Sequence, residues 1–157
     1  MTHSRKEPEE TNTIDSATVS EPGASKEITF RRAVEEGLVD EVEALLNDGL
    51  KIIDLDYGSG VTPLHIAIQE GQTVVARLLL NRGADPNTET SAGWTPFHMV
   101  ALTGNQEIAQ LLLEHGALLD RTNTQGHTPL DLAKTHKKKE MIALLNKQSG
   151  NWWRFWK

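Results

Sequence analysis

Val61-Thr62-Pro63-Leu64-His65-Ile66-Ala67 returns as Trp94-Thr95-Pro96-Phe97-His98-Met99-Val100 and again as His127-Thr128-Pro129-Leu130-Asp131-Leu132-Ala133. Thr62, Thr95 and Thr128 are each 33 residues apart. Other features keep the same step. Gly71 is answered by Gly104, Leu78-Leu79-Leu80 by Leu111-Leu112-Leu113, and Gly83-Ala84 by Gly116-Ala117. Independent features sharing one period mark a stack of supersecondary units rather than a single globule.

Each unit has a physical reading. Thr62-Pro63 opens a helix, with threonine as the cap and proline at the first helical position, where its missing N–H costs nothing. Leu64, Ala67 and Ile68 share one helical face. Gly71 ends that helix. A second helix follows, expected to turn Val74, Val75, Leu78 and Leu79 inward, and Gly83 stops it. Gly83-Ala84-Asp85-Pro86-Asn87 is turn chemistry, and a β-hairpin-like finger leads to the next threonine. One such unit cannot bury its apolar face alone, so neighbours must stack.

A 33-residue period with Thr-Pro-Leu-His near its start resembles the ankyrin-repeat family, over about residues 28–149. The resemblance implies an all-α solenoid of about four helix-turn-helix repeats with hairpin-like fingers. The repeats run about 28–60, 61–93, 94–126 and 127–149, inside a domain spanning 27–149. It also implies that fingers and inner helices form a concave, partner-binding surface. The first unit reads as a diverged capping repeat. Ala33-Val34-Glu35-Glu36-Gly37 ends its inner helix, and Val42-Glu43-Ala44-Leu45-Leu46 lies in its outer one. Gly37 to Gly71 and Gly49 to Gly83 are 34-residue steps, so one extra residue sits in the first finger. The fourth unit departs too. Asp131 replaces the motif histidine, Lys137 the glycine after the inner helix, and Ser149 the glycine after the outer one.

Composition bounds the function. Cysteine is absent, which excludes disulfides and thiolate chemistry. No apolar run approaches the ~20 residues of a membrane span, and the start, MTHSRKEPEE, lacks the core of a signal peptide. The expectation is a soluble intracellular protein, cytoplasmic, with the nucleus open, and monomeric on its own. The net charge of −6 is uneven: residues 1–26 carry −2, residues 27–133 carry −10, and residues 134–157 carry +6. An acidic body repels nucleic acid. Residues 1–26 are rich in Ser, Thr, Glu and Pro, and read as a disordered tail.

The six histidines are the obvious catalytic suspects. Yet His65 and His98 stand at the motif position, where the resemblance implies a hydrogen bond to the motif threonine and to neighbouring backbone. That gives Thr62, Pro63, His65, Thr95, Pro96, His98, Thr128 and Pro129 a structural role. His115 and His127 read as solvated or partner-facing. Asp85 and Asp120 fall in turns, where carboxylates cap backbone amides. No nucleophile with its base, no phosphate loop and no metal-ligand spacing is present, so no catalytic residue, metal or cofactor is assigned.

The resemblance places the variable, partner-facing positions as follows. The second repeat gives Tyr57, Ser59, Val61, Gln69 and Glu70. The third gives Glu89, Ser91, Trp94, Leu102 and Thr103. The fourth gives Thr122, Thr124, Gln125, His127 and His136. Aromatic residues are enriched at interface hot spots, so Trp94 with Leu102 is the expected apolar centre. The partner is another protein. Residues 150–157 form an aromatic-basic tail, with Trp152, Trp153, Arg154, Phe155, Trp156 and Lys157 as candidate contacts. Three readings compete for it: a fold-back cap on the last repeat, a linear motif for a partner, or weak insertion at a membrane interface. The last would make the chain a membrane-peripheral adaptor.

Overall fold

The computed structural model describes residues 22–52 and 55–150. Among the described residues eight helices form four antiparallel pairs: α1 (Pro22–Glu36) with α2 (Val39–Asn47), α3 (Pro63–Gln69) with α4 (Thr73–Asn81), α5 (Pro96–Thr103) with α6 (Gln106–Glu114), and α7 (Pro129–Thr135) with α8 (Lys139–Ser149). Inner helices α1, α3, α5 and α7 pack side by side in chain order, and outer helices α2, α4 and α6 do the same behind them. The architecture is the expected all-α solenoid. No strand is formed among the described residues. The fingers are tight turns, closed by Tyr57 N–H to Val61 C=O at 2.8 Å, Thr90 N–H to Trp94 C=O at 3.0 Å, and Asn123 N–H to His127 C=O at 3.0 Å. Neighbouring fingers are laced by Ser91 N–H to Ser59 C=O and Thr124 N–H to Ala92 C=O. The lacing is close. A Cβ on Gly93 would sit 3.0 Å from the Asn123 Cα, and the φ of +70° there already demands glycine.

The core follows the period. Phe30, Ala33 and Val34 of α1, Leu64, Ala67 and Ile68 of α3, and Phe97, Val100 and Ala101 of α5 occupy matching places, all buried. In the outer helices Val75, Ile108 and Met141 do likewise. The matching place in α2 is Glu41, which reaches Arg32 at 3.4 Å. Among the described residues no repeat packs on the far side of α1 and α2, so a charged residue is tolerated there.

Three expectations need correction. Val74 does not point inward; it is 60% exposed. It shares its register with Glu107 and Glu140, on the solvent side of the outer helices, and Ala76 takes the inward place. The acidic tail was expected to reach residue 26, but α1 begins at Pro22. Proline suits a first helical position, and Lys26 is ion-paired to Asp48, the residue that follows the C-terminal end of α2. The rest of that tail, residues 1–21, lies outside the described residues. His115 is not a solvated side chain: its Nδ1 lies 2.8 Å from Leu111 C=O and its Nε2 3.3 Å from Asn81 Oδ1, joining α6 to α4.

Candidate partner-binding surface

The face made by fingers and inner helices is positioned by the motif residues. Thr62, Thr95 and Thr128 cap α3, α5 and α7. The Thr95 N–H donates to His98 Nδ1 at 3.2 Å, with the threonine hydroxyl 2.8 Å from the same nitrogen. Nδ1 therefore accepts, and the ring proton sits on Nε2. From there it is donated to His127 C=O, 3.0 Å away in the next repeat. His65 does the same, with Thr62 N–H at 3.2 Å and Trp94 C=O at 3.2 Å. Each imidazole is thus a staple between repeats, as the resemblance implied. Both rings are buried. Desolvation holds their pKa values below the ordinary histidine value, against the opposing pull of the carbonyls they donate to.

In the fourth repeat Asp131 stands in for the histidine. Its Oδ2 accepts from Thr128 N–H at 3.0 Å and from the Thr128 hydroxyl at 2.7 Å. These bonds hold its pKa below the usual carboxylate value. The carboxylate closes a capping box but is bonded only within its own repeat.

The His65 staple fixes the Trp94 carbonyl, and Thr90 Oγ1 accepts from the Trp94 N–H at 3.1 Å. The indole ring then lies tilted over His98, centroids 5.9 Å apart. Trp94 is thereby held half-buried on the wall of a groove of about 330 Å³, lined by Val61, His65, Gln69, Thr90, Trp94, Met99, Leu102 and Thr103. Five of the sequence-predicted residues meet here: Val61, Gln69, Trp94, Leu102 and Thr103. Glu70 follows directly after Gln69.

The other predicted positions do not line this groove. Tyr57 turns toward the first repeat, where the Arg31 guanidinium lies 5.3 Å from its ring centroid, and burial pushes its hydroxyl pKa up. Ser59 and Ser91 lie on the finger tips. Glu89 is paired with Arg121 at 3.5 Å. Thr122, Thr124, Gln125, His127 and His136 are exposed along the fourth repeat. Trp152, Trp153, Arg154, Phe155, Trp156 and Lys157, and with them all three readings of the tail, lie outside the described residues.

Sequence reasoning missed Thr90 and Met99 as lining residues and saw His65 only as a staple. Thr90 carries the signal that could have found it, because it shares a finger register with Tyr57 and Asn123. Met99 matches Ile66 and Leu132, which are buried. Nothing in the period distinguishes it from them.

Among the described residues no group of histidine, aspartate or glutamate side chains is arranged to hold a metal ion, and no helix is long and apolar enough to cross a membrane.

Residues 83–151 match the family described as ankyrin repeats (3 copies), and residues 45–99 match ankyrin repeats (many copies). An ankyrin repeat protein of fowlpox virus (strain NVSL) is 47% identical over 66 residues, covering 40% of this chain and 16% of the viral protein. The "ankyrin repeat, SAM and basic leucine zipper domain-containing protein 1" of Eulemur macaco macaco is 38% identical over 64 residues, 41% of this chain and 13% of that protein. The 2-5A-dependent ribonuclease of Mus musculus is 41% identical over 56 residues, 36% of this chain and 8% of the ribonuclease. The chain spans under a fifth of the length of each of these relatives.

Proposed function

We infer that this chain, which belongs to the ankyrin-repeat family, is a non-catalytic module that binds a partner protein on its finger and inner-helix face. Ankyrin repeats in general are protein–protein interaction modules. The observation that carries the finer reading is the groove around Trp94. It is a concave patch whose apolar wall (Val61, Trp94, Met99, Leu102) is edged by polar groups (Gln69, Thr90, Thr103). An aromatic anchor ringed by polar side chains is the usual anatomy of an interface centre. The anchor is also preorganised. The His65 staple, the Thr90 hydroxyl and the His98 ring hold it before any partner arrives, which lowers the entropy lost on binding. An adaptor or regulator role follows from such a module, since it carries its partner without transforming it. The ribonuclease relative does not alter this reading, because the match reaches only a small part of that protein.

The test is the affinity of the purified chain for proteins it captures. Trp94→Ala is expected to weaken a direct partner by more than about 1 kcal/mol, with the helical circular dichroism unchanged. Because Trp94 also touches His98, Leu102→Gln serves as a second probe on the groove floor and should weaken the same partner. A partner whose affinity moves with neither substitution binds elsewhere.

A further inference from the structure

Two of the groove's lining residues, Gln69 and Thr103, are each hydrogen-bonded to a charged side chain that stands beside the groove, and the two charges are opposite. On one side Gln69 lines it and donates from Nε2 to the Glu70 carboxylate at 3.3 Å. On the other, Thr103 lines it, and its carbonyl accepts from Lys138 Nζ at 3.3 Å. The Lys138 stem is packed on the backbone at Gly104, where a Cβ would lie 3.1 Å from its Cδ. The ammonium is therefore held at the C-terminal end of α5. It has three N–H donors and one of them is used by Thr103.

Several charges elsewhere on the repeats are compensated across neighbouring repeats. Glu43 meets Arg82 at 2.8 Å, Glu107 meets Arg77 at 3.3 Å, and Glu89 meets Arg121. Neither Glu70 nor Lys138 enters an ion pair among the described residues. The same polarity appears at the scale of the whole chain, with net −10 over residues 27–133 and net +6 over residues 134–157.

Resting on the reading of the groove as a protein-binding site, we propose that it selects a peptide segment of bipolar charge. Such a segment places an apolar side chain against Trp94, Met99 and Leu102, a cation toward Glu70, and a carboxylate toward Lys138. An all-basic segment, which the acidic body alone would favour, meets Lys138 with like charge. An all-acidic one meets Glu70 and the surrounding negative field. Exposed charges add little to affinity singly, but opposed like charges exclude wrong partners and fix orientation.

Four fluorescein-labelled synthetic peptides test this by anisotropy titration against the full chain. One carries lysines on one side of a central phenylalanine and glutamates on the other. A second has only lysines, a third only glutamates, and the fourth is the bipolar peptide with serine for phenylalanine. The unsubstituted chain should bind the bipolar probe roughly two- to fivefold tighter than either single-sign probe, the scale of an exposed ion pair. Lys138→Glu should shift the preference to the lysine probe, and Glu70→Lys to the glutamate probe. Both substitutions lie on exposed or half-exposed side chains, so circular dichroism should be unchanged. Binding with an unmoved order of probes in both variants overturns the charge assignment. If that binding still requires the phenylalanine and is lost in Trp94→Ala, the groove remains a binding site and only the bipolar preference falls. If no probe binds, or if binding survives loss of the phenylalanine or of Trp94, the groove reading falls and this one with it.

Discussion

The third and fourth repeats begin alike, with Thr95-Pro96 and Thr128-Pro129, and diverge at the next polar position. His98 reaches out of its repeat to His127 C=O, whereas Asp131 turns back on Thr128. The inner helices diverge in parallel. Phe97, Val100 and Ala101 are all buried, while the corresponding residues of α7 are half-buried Leu130, buried Ala133 and exposed Lys134. An imidazole carries a donor and an acceptor on opposite edges, so it can bridge two repeats. A carboxylate only accepts, and with no further repeat described beyond α8, it serves as a cap alone. Side-chain chemistry in this fold therefore follows the number of neighbours rather than the period by itself.

The largest expected effect tests that rule in the core. Leu112 of α6 and Leu145 of α8 hold the same register and are equally buried. Leu112 belongs to a repeat with a described neighbour on each side, and Leu145 to one with a described neighbour on one side. Leu112→Ala should cost about 3–5 kcal/mol and Leu145→Ala about 2–3 kcal/mol, from the lost burial and the unfilled cavity. Urea denaturation of the two variants measures the difference. Equal losses would mean that the fourth repeat is as well supported as the third, breaking the comparison.

The staples give the next effect. His98→Ala strands the Thr95 N–H and the His127 carbonyl, for about 2–4 kcal/mol. Asp131→Ala removes a cap, for about 1 kcal/mol. Titration sharpens the contrast. His65 and His98 have pKa values below the unfolded value of 6.5. Their unfolded forms then bind protons first, so their contribution is complete above pH 6.5 and is lost as pH falls toward the folded values. Protonation would put a proton on Nδ1, against the threonine N–H. Asp131 is depressed from 3.8, so its cap persists until the pH falls below that value. Melting temperature should drop through mildly acidic pH in the unsubstituted chain. That drop should flatten in a chain carrying His65→Asn and His98→Asn, and survive in Asp131→Asn.

The fold was legible because each unit repeats its punctuation. Thr-Pro starts, glycine stops and aliphatic triplets at one spacing leave little room for another arrangement. The groove was legible in part. Trp94 and Leu102 stand at positions the resemblance marks as partner-facing, so chemistry pointed to them. Val74 misled because apolar identity does not reveal which side of a helix a residue occupies, and its repeat-mates Glu107 and Glu140 were the better guide. His115 misled because its partners, Leu111 C=O and Asn81, are brought together only by helix stacking. The hydrogen bonds that set Glu70 and Lys138 beside the groove depend on side-chain reach, for Lys138 across the boundary between two repeats, which no spacing rule encodes.

The smallest effect concerns a stop signal. Gly71 and Gly104 end α3 and α5 with φ of +70° and +80°, and the corresponding residue after α7 is Lys137, with φ of +54°. A side chain in this left-handed region crowds its own carbonyl, which glycine avoids. The residue is exposed, and the neighbouring Lys138 makes the contact to Thr103. Replacing the side chain thus removes strain without removing a packing contact. Glycine also gains freedom in the unfolded chain, which opposes the relief. A left-handed penalty of roughly 1–2 kcal/mol against an unfolded-state cost of about 0.4–1 kcal/mol leaves a net gain of about 0.5–1 kcal/mol, so Lys137→Gly should raise the urea midpoint. If the fourth repeat frays before the others, the gain should appear first in amide exchange of α7 and α8, because stability in a stacked array is felt by nearest neighbours. A uniform gain across all four repeats would instead mean that the array unfolds as one unit, and the last repeat would then differ from the third in chemistry but not in stability.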